Sequence, residues 1–141
     1  MVNFVSGSNI GYMKCYCNSN KLFNECCKPI ILGKQIAKTA EILMRSRYSA
    51  YVVANVNFLL NSHHPLTRPT SVRKSILKWT KSVHWLGLEI IAKQNGLEKD
   101  SKGYVEFKAS FMNKGNVECI HENSYFVKNN NQWFYKSGTL K

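Results

Sequence analysis

The stretch "KCYCNSNKLFNECCKP", residues 14–29, holds four of the five cysteines in a chain of 141 residues. No other feature limits the possible folds as much. The spacing is Cys-x-Cys, then eight residues, then Cys-Cys. Zinc takes four soft ligands at tetrahedral corners, each about 2.3 Å from the metal. Cys15 and Cys17 can reach one ion from a tight turn, and "NSNKLFNE" carries the chain away and back. Cys26 and Cys27 can then close the shell from the end of a short helical turn, under apolar cover from Leu22 and Phe23. A piece this small cannot bury enough surface to fold alone, so metal binding would supply the folding energy. Two other readings stand beside this one. Disulfides are opposed by a reducing compartment and by the strain of bonding adjacent cysteines. Buried apolar thiols fit poorly with the polarity of "KCYCNSNK". Cys119 stands apart in a strand-like segment and reads as a small core residue, free of metal.

The remaining sequence can fill a core, with 44% hydrophobic and 12% aromatic residues. Its length suits one compact domain with a small appendage. The opening "MVNFVSGSNIGYMK" lacks the basic and apolar regions of a secretion signal. The longest apolar stretch, "YSAYVVANVNFLL", is cut by Asn55 and Asn57 and is too short to span a bilayer. These features lead us to expect a cytoplasmic protein with reduced thiols. The net charge of +12 favours anionic partners such as RNA, an acidic protein surface or a membrane face, beside the plain reading of a lysine-rich solubilising surface. The lysines are scattered singly, without the dense run of a nucleic-acid-binding tail.

Gly33 closes the cysteine module, giving a division into residues 1–33 and 34–141. From Lys34 to Ala54 apolar residues recur at helical spacing. Asn55 can cap a second helix through Val56 and Leu60. "HHPLTRPTS" is a loop, after which Thr70 or Ser71 caps a third helix bearing Val72, Ile76, Leu77 and Trp79. The period then changes from 3.6 to 2. Strands are expected from His84 to Ala92, Tyr104 to Met112, Val117 to Val127 and Trp133 to Tyr135, joined by turns at Asn95-Gly96, "NKGN" and "KNNNQ". Helices followed by a meander predict an α+β domain, three helices packed on one face of a curved antiparallel sheet. Residues 34–141 are expected to keep this fold without the metal.

Two parts of the sequence carry resemblances. Cys15, Cys17, Cys26 and Cys27, with Ser19 and Lys21 between them, resemble the SEC-C motif, a short zinc-binding module. Members of that family often have Gly-Ser-Gly where this chain has Asn18-Ser19-Asn20, and His where it has Cys27. The order of helices and strands resembles the cone-shaped nuclear-transport-factor-2-like fold. "TAEILMRSRYSAYVVANVNFLLNSHHPLTR" and "CIHENSYFVKNNNQWFYKSG" are similar to the YchJ-like family of bacterial proteins, which joins an SEC-C module to such a cone. The resemblance implies one structural zinc held by the four cysteines, and a fold. It implies no reaction.

Two charged residues occupy apolar positions. Arg47 lies on the stripe of the first helix, and Glu122 shares a strand face with Ile120, Ser124 and Phe126. Each can explain the other as a buried ion pair at the concave mouth of the sheet, with Tyr51, Arg68 and Ser124 as further pocket candidates. "HHP" reads as loop rather than as a second metal site, His121 falls on the face opposite Glu122, and Trp79, Trp85 and Trp133 read as core aromatics. No nucleophile elbow or phosphate loop occurs. The leading expectation is a zinc-stabilised binding or adaptor module for a protein, ribosome or RNA partner. The alternative is an enzyme or small-molecule binder using the cone pocket, with Glu122 as acid or base and Arg47 or Arg68 on an anion.

Overall fold

A computed structural model describes residues 13–141. The tail before them, including most of the opening read above for a secretion signal, lies outside the described residues. A 3-10 turn at Phe23–Glu25 leads into helices α1 (Cys27–Ile31), α2 (Ala40–Val52), α3 (Val56–Asn61) and α4 (Arg73–Ser82). Strands β1 (His84–Asn95), β2 (Lys102–Asn113), β3 (Asn116–Asn129) and β4 (Gln132–Leu140) follow. They pair antiparallel in the order β1-β2-β3-β4.

Local chemistry fixes this meander. Lys114 and Gly115 both take positive φ between β2 and β3, as do Asn130 and Asn131 between β3 and β4. Two-residue turns of this hand match the twist of the strands they join. Bulges in β1 beside Leu86 and Ile91, and a register shift beside Phe126, bend the sheet. Along β2, Val105, Phe107, Ala109 and Phe111 are buried on the concave side. Helix α2 lies across that face, where Leu43, Met44 and Tyr48 join Leu88, Phe126 and Trp133 in one buried cluster.

Several boundaries differ from the sequence expectation. Helix α2 starts at Ala40, not Lys34, because the Thr39 hydroxyl caps it by accepting from Ile42 N at 3.1 Å. Ile36 fits the helical spacing but is 64% exposed. Asn55 does cap α3, accepting from Phe58 N at 3.0 Å. Neither Thr70 nor Ser71 caps α4. Ser71 is left-handed, Val72 occupies the cap position, and no side chain caps the helix. Strand β4 runs on to Leu140, since its backbone pairs with β3 as far as Glu122 even where its side chains are exposed. Cys119 is exposed rather than a core residue. It neighbours Ile120 on β3, so it points to the convex face, which none of the described helices covers.

The core does not divide at residue 33. Cys15, Cys17, Phe23, Cys27 and Ile30 belong to the same buried cluster as the residues of α2 and the sheet. Arg45 of α2 donates to Cys17 O at 2.6 Å, and the Cys15 sulfur lies 3.6 Å from the Ser49 hydroxyl. These contacts tie the cysteine module to α2.

Candidate functional site

Backbone turns rather than long elements bring the four cysteines together. Lys14 bridges Leu22, and Cys15 N donates to Lys21 O at 2.7 Å, so the two ends of the first loop are tied. Inside it Asn18 (φ 66°) and Asn20 (φ 70°) are left-handed. Asn tolerates that region better than other non-glycine residues, which explains how Asn-Ser-Asn can stand where Gly-Ser-Gly is common. Ser19 Oγ lies 3.2 Å from Cys26 Sγ and also accepts from Lys21 N. Cys26 and Cys27 sit where the 3-10 turn passes into α1, and Gly33 (φ 78°) ends that helix.

All four sulfurs lie within 4.8 Å of one another. Cys17 to Cys26 is 3.7 Å and Cys26 to Cys27 is 3.9 Å. Four sulfurs on a tetrahedral zinc would be about 3.8 Å apart. All five cysteines are free thiols, so the disulfide reading is set aside. The donor set fits a soft dication, and the cluster can bind metal. Without one, the sulfurs share protons unevenly. Hydrogen bonds from Cys17 and Cys27 pull the Cys15 thiol far below its ordinary range. Donation to Cys15 and Cys17, with burial, pushes Cys27 far up. Burial raises Cys26 to about 11. A bound cation would displace those protons.

The other face of α2 looks into the cone. There a cavity of about 270 Å³ lies between the sheet, α2, α3 and α4. One wall is aromatic. Trp85 and Trp79 meet edge-on at 5.3 Å between centroids, and Tyr48 and Tyr51 each stand 5.7 Å from Trp85. The opposite end is polar, with Arg47, His63, Glu122, Ser124 and Tyr135.

Arg47 is only 6% exposed. Its Nη1 donates to Leu59 O at 2.8 Å and Ser62 Oγ at 2.6 Å, and its Cζ stands 4.6 Å from the centre of the Tyr135 ring. Burial lowers its pKa, opposed by Tyr51, Tyr135 and Glu122. Glu122 Oε2 accepts from Ser124 Oγ at 2.6 Å and from the Tyr135 hydroxyl at 2.9 Å. Burial and this carboxylate raise the Tyr135 pKa, so the phenol stays a donor. His63, edge-on to Tyr135 at 5.0 Å, is lowered to about 4 by burial and by the charges of Arg47 and Arg68.

The direct Arg47–Glu122 ion pair expected from the sequence is therefore not formed. No carboxylate among the described residues lies within 4.0 Å of Arg47. Arg47 turns instead to the end of α3, and Tyr135 touches both charges. Tyr51 and Ser124 line the cavity, but Arg68 does not. Arg68 donates to His63 O at 2.9 Å and pins the loop. His64 stands edge-on to Phe134 at 5.8 Å between ring centres. His121 pairs with Glu106 at 2.6 Å on the sheet's other face. Trp133 is core at 2% exposure, whereas Trp79, at 36%, and Trp85 line the cavity. Sequence reasoning missed Tyr135 and Gly138. A Cβ at position 138 would collide with the Glu122 carboxylate and lie 2.7 Å from the Tyr135 hydroxyl. A glycine late in a polar strand was the available signal.

A helix-backed antiparallel cone fused to a four-cysteine centre defines an α+β protein of nuclear-transport-factor-2-like fold with an SEC-C type module. The family described as "YchJ, middle NTF2-like domain" matches residues 39–138. A UPF0225 protein of Vibrio cholerae is 41% identical over 126 residues, covering 89% of this chain and 82% of the relative. One from Geobacter sulfurreducens is 39% identical over 124 residues, covering 88% and 77%. The solution structure of an SEC-C motif containing protein from Rhodopseudomonas palustris superposes with a TM-score of 0.82 at 30% identity, covering 90% of this chain and 98% of that one. The crystal structure of an SEC-C motif containing protein from Psychrobacter arcticus gives 0.79 at 31% identity, covering 94% and 85%. The chain belongs to the YchJ-like, UPF0225 family.

Proposed function

We propose that this protein is a zinc-stabilised, cytoplasmic binder of a small molecule held in the cone. Four clustered sulfur donors, enough to close a tetrahedral shell, support zinc as the metal. Cys15, Cys17, Cys26 and Cys27 would hold it, and it would lock the loop against α2. This reading moves weight from the adaptor expectation to its alternative. One observation carries the move: a cavity of about 270 Å³ with an aromatic wall ends at a buried guanidinium that, among the described residues, has no carboxylate partner within 4.0 Å. A concave apolar site with a few convergent polar groups is the usual form of a ligand site. Arg47 is bound to a backbone carbonyl and a serine, and Glu122 to Ser124 and Tyr135, an arrangement that supports binding of a ligand.

The test is a fragment screen by amide NMR on the full chain, with zinc content measured on the same sample. Binders should shift amides of α2, β3 and β4 around Arg47, Glu122 and Tyr135. Hits that map only to the convex face or the cysteine loop would defeat the cavity reading.

The charge of +12 supports a second reading, in which the same protein meets a polyanionic partner such as RNA or a ribosome.

A further inference from the structure

The cavity's polar end holds two opposite charges that do not touch. Arg47 is on α2 and Glu122 on β3, and no ion pair within 4.0 Å joins them. Tyr135 fixes both. Its ring underlies the guanidinium at 4.6 Å and its hydroxyl donates to the carboxylate at 2.9 Å. Neither group has all of its hydrogen-bonding capacity taken, Arg47 as donor and Glu122 as acceptor. Nη1 of Arg47 donates to Leu59 O and Ser62 Oγ, Tyr51 also holds the guanidinium from the side, and both bonds accepted by Glu122 fall on Oε2. An unpaired buried charge is costly, and a ligand group of opposite sign relieves that cost.

The charges also limit the ligand. A plain anion would meet Arg47 but face the carboxylate of Glu122. A plain cation would meet the reverse. A ligand that carries both signs on neighbouring atoms satisfies each wall. Its body must be apolar, since Tyr51, Trp79, Trp85, Phe107 and Ile120 line the space beyond. The volume of about 270 Å³ equals that of about nine waters at roughly 30 Å³ each, enough for one ring and a short head group.

We infer that the cavity binds a zwitterion of α-amino-acid type with an aromatic or bulky apolar side chain. The carboxylate goes to Arg47, the ammonium to Glu122, and the ring to the aromatic wall of Trp79, Trp85 and Tyr51. This rests on the cavity reading above and adds the ligand's chemical class. His63 supports it from the side, because it is neutral at ordinary pH and leaves the two charges balanced.

The experiment titrates the full chain, metal retained, with four probes followed by amide shifts: L-phenylalanine, 3-phenylpropionate, phenethylamine and toluene. L-Phenylalanine should saturate shifts at Arg47, Glu122 and Tyr135. The two half-charged probes should bind at least about tenfold more weakly, the worth of one charge-assisted hydrogen bond. Glu122→Gln should weaken L-phenylalanine by about tenfold and leave 3-phenylpropionate equal or tighter. Arg47→Gln should weaken L-phenylalanine and 3-phenylpropionate by about tenfold and leave phenethylamine equal or tighter. If Arg47→Gln fails to fold, the Glu122→Gln result decides. Equal or tighter binding of 3-phenylpropionate, phenethylamine or toluene to the unaltered protein would overturn the zwitterion and leave the cavity reading standing. No shift at cavity residues with any of the four would overturn both.

Discussion

Arg47 shows how a single residue can be read correctly in position and wrongly in partner. Helical spacing put it on the inner face of α2, where it is buried. Its hydrogen bonds, however, go to the end of α3 at Leu59 and Ser62, which only tertiary packing brings near. His63 follows from the same arrangement. It faces Arg47, Arg68 and His64, and its folded pKa is lowered to about 4. The unfolded chain takes up that proton near the ordinary value of about 6.5. Between those values the unfolded state binds more protons, so stability should fall as pH drops from about 6.5 towards 4. His63→Gln should flatten that part of the curve. Melting temperatures of both proteins across this range would check it, and parallel curves would rule His63 out as the source.

Among the elements, α2 has a double task. One side carries Arg45 and Ser49 against the cysteine loop, and the other carries Met44, Arg47, Tyr48 and Tyr51 into the cavity. Its cap at Thr39 was hidden from sequence reasoning because Ile36 continued the apolar spacing. The strands were easier to read. Alternation in β2 and β3 is a two-residue period, and burial of one face enforces it. Strand β4 was cut short because its last residues are exposed and polar, and pairing with β3 alone holds them. With that truncation went Gly138. The position of α2 makes the effect of metal removal specific. Since the cysteines share the core with α2, a chelator should lower the melting temperature of the whole chain and broaden amide signals around the cavity. Loss of signals confined to residues 14–33, with the cone unchanged, would show that the helix does not transmit the change.

At the scale of the whole molecule, the cysteine cluster and the helix-then-meander order were legible because both are local patterns. The cavity was not, since it arises where α2, α3, α4 and the curled sheet meet. Nor were the contacts between the cysteine loop and α2, because a boundary read where the cysteine module ends at Gly33 carries no information on tertiary packing. The chain carries a formal charge of +12, and with four thiolates around one zinc the effective charge would be about +10. Association with a nucleic acid should therefore weaken steeply as salt rises, through release of counterions. Binding of a zwitterion inside the cone should change little over the same range. Titrations at low and physiological salt would separate the two. Salt-insensitive RNA binding would remove the charge-driven reading.

The turn that closes β1 contains a chemical clock. Asn95-Gly96 is the sequence in which a backbone nitrogen most readily attacks the neighbouring side-chain amide, giving aspartate and isoaspartate as the protein ages. Here the attacking nitrogen is engaged, since Gly96 N donates to Lys102 O at 3.1 Å. Gly96 O in turn accepts from Ala40 N at 2.9 Å, which ties the turn to the first residue of α2. Both residues are held at positive φ. Deamidation must wait until that turn opens, so isoaspartate at position 95, counted by peptide mapping of stored protein, records the time the end of β1 has spent released from Lys102.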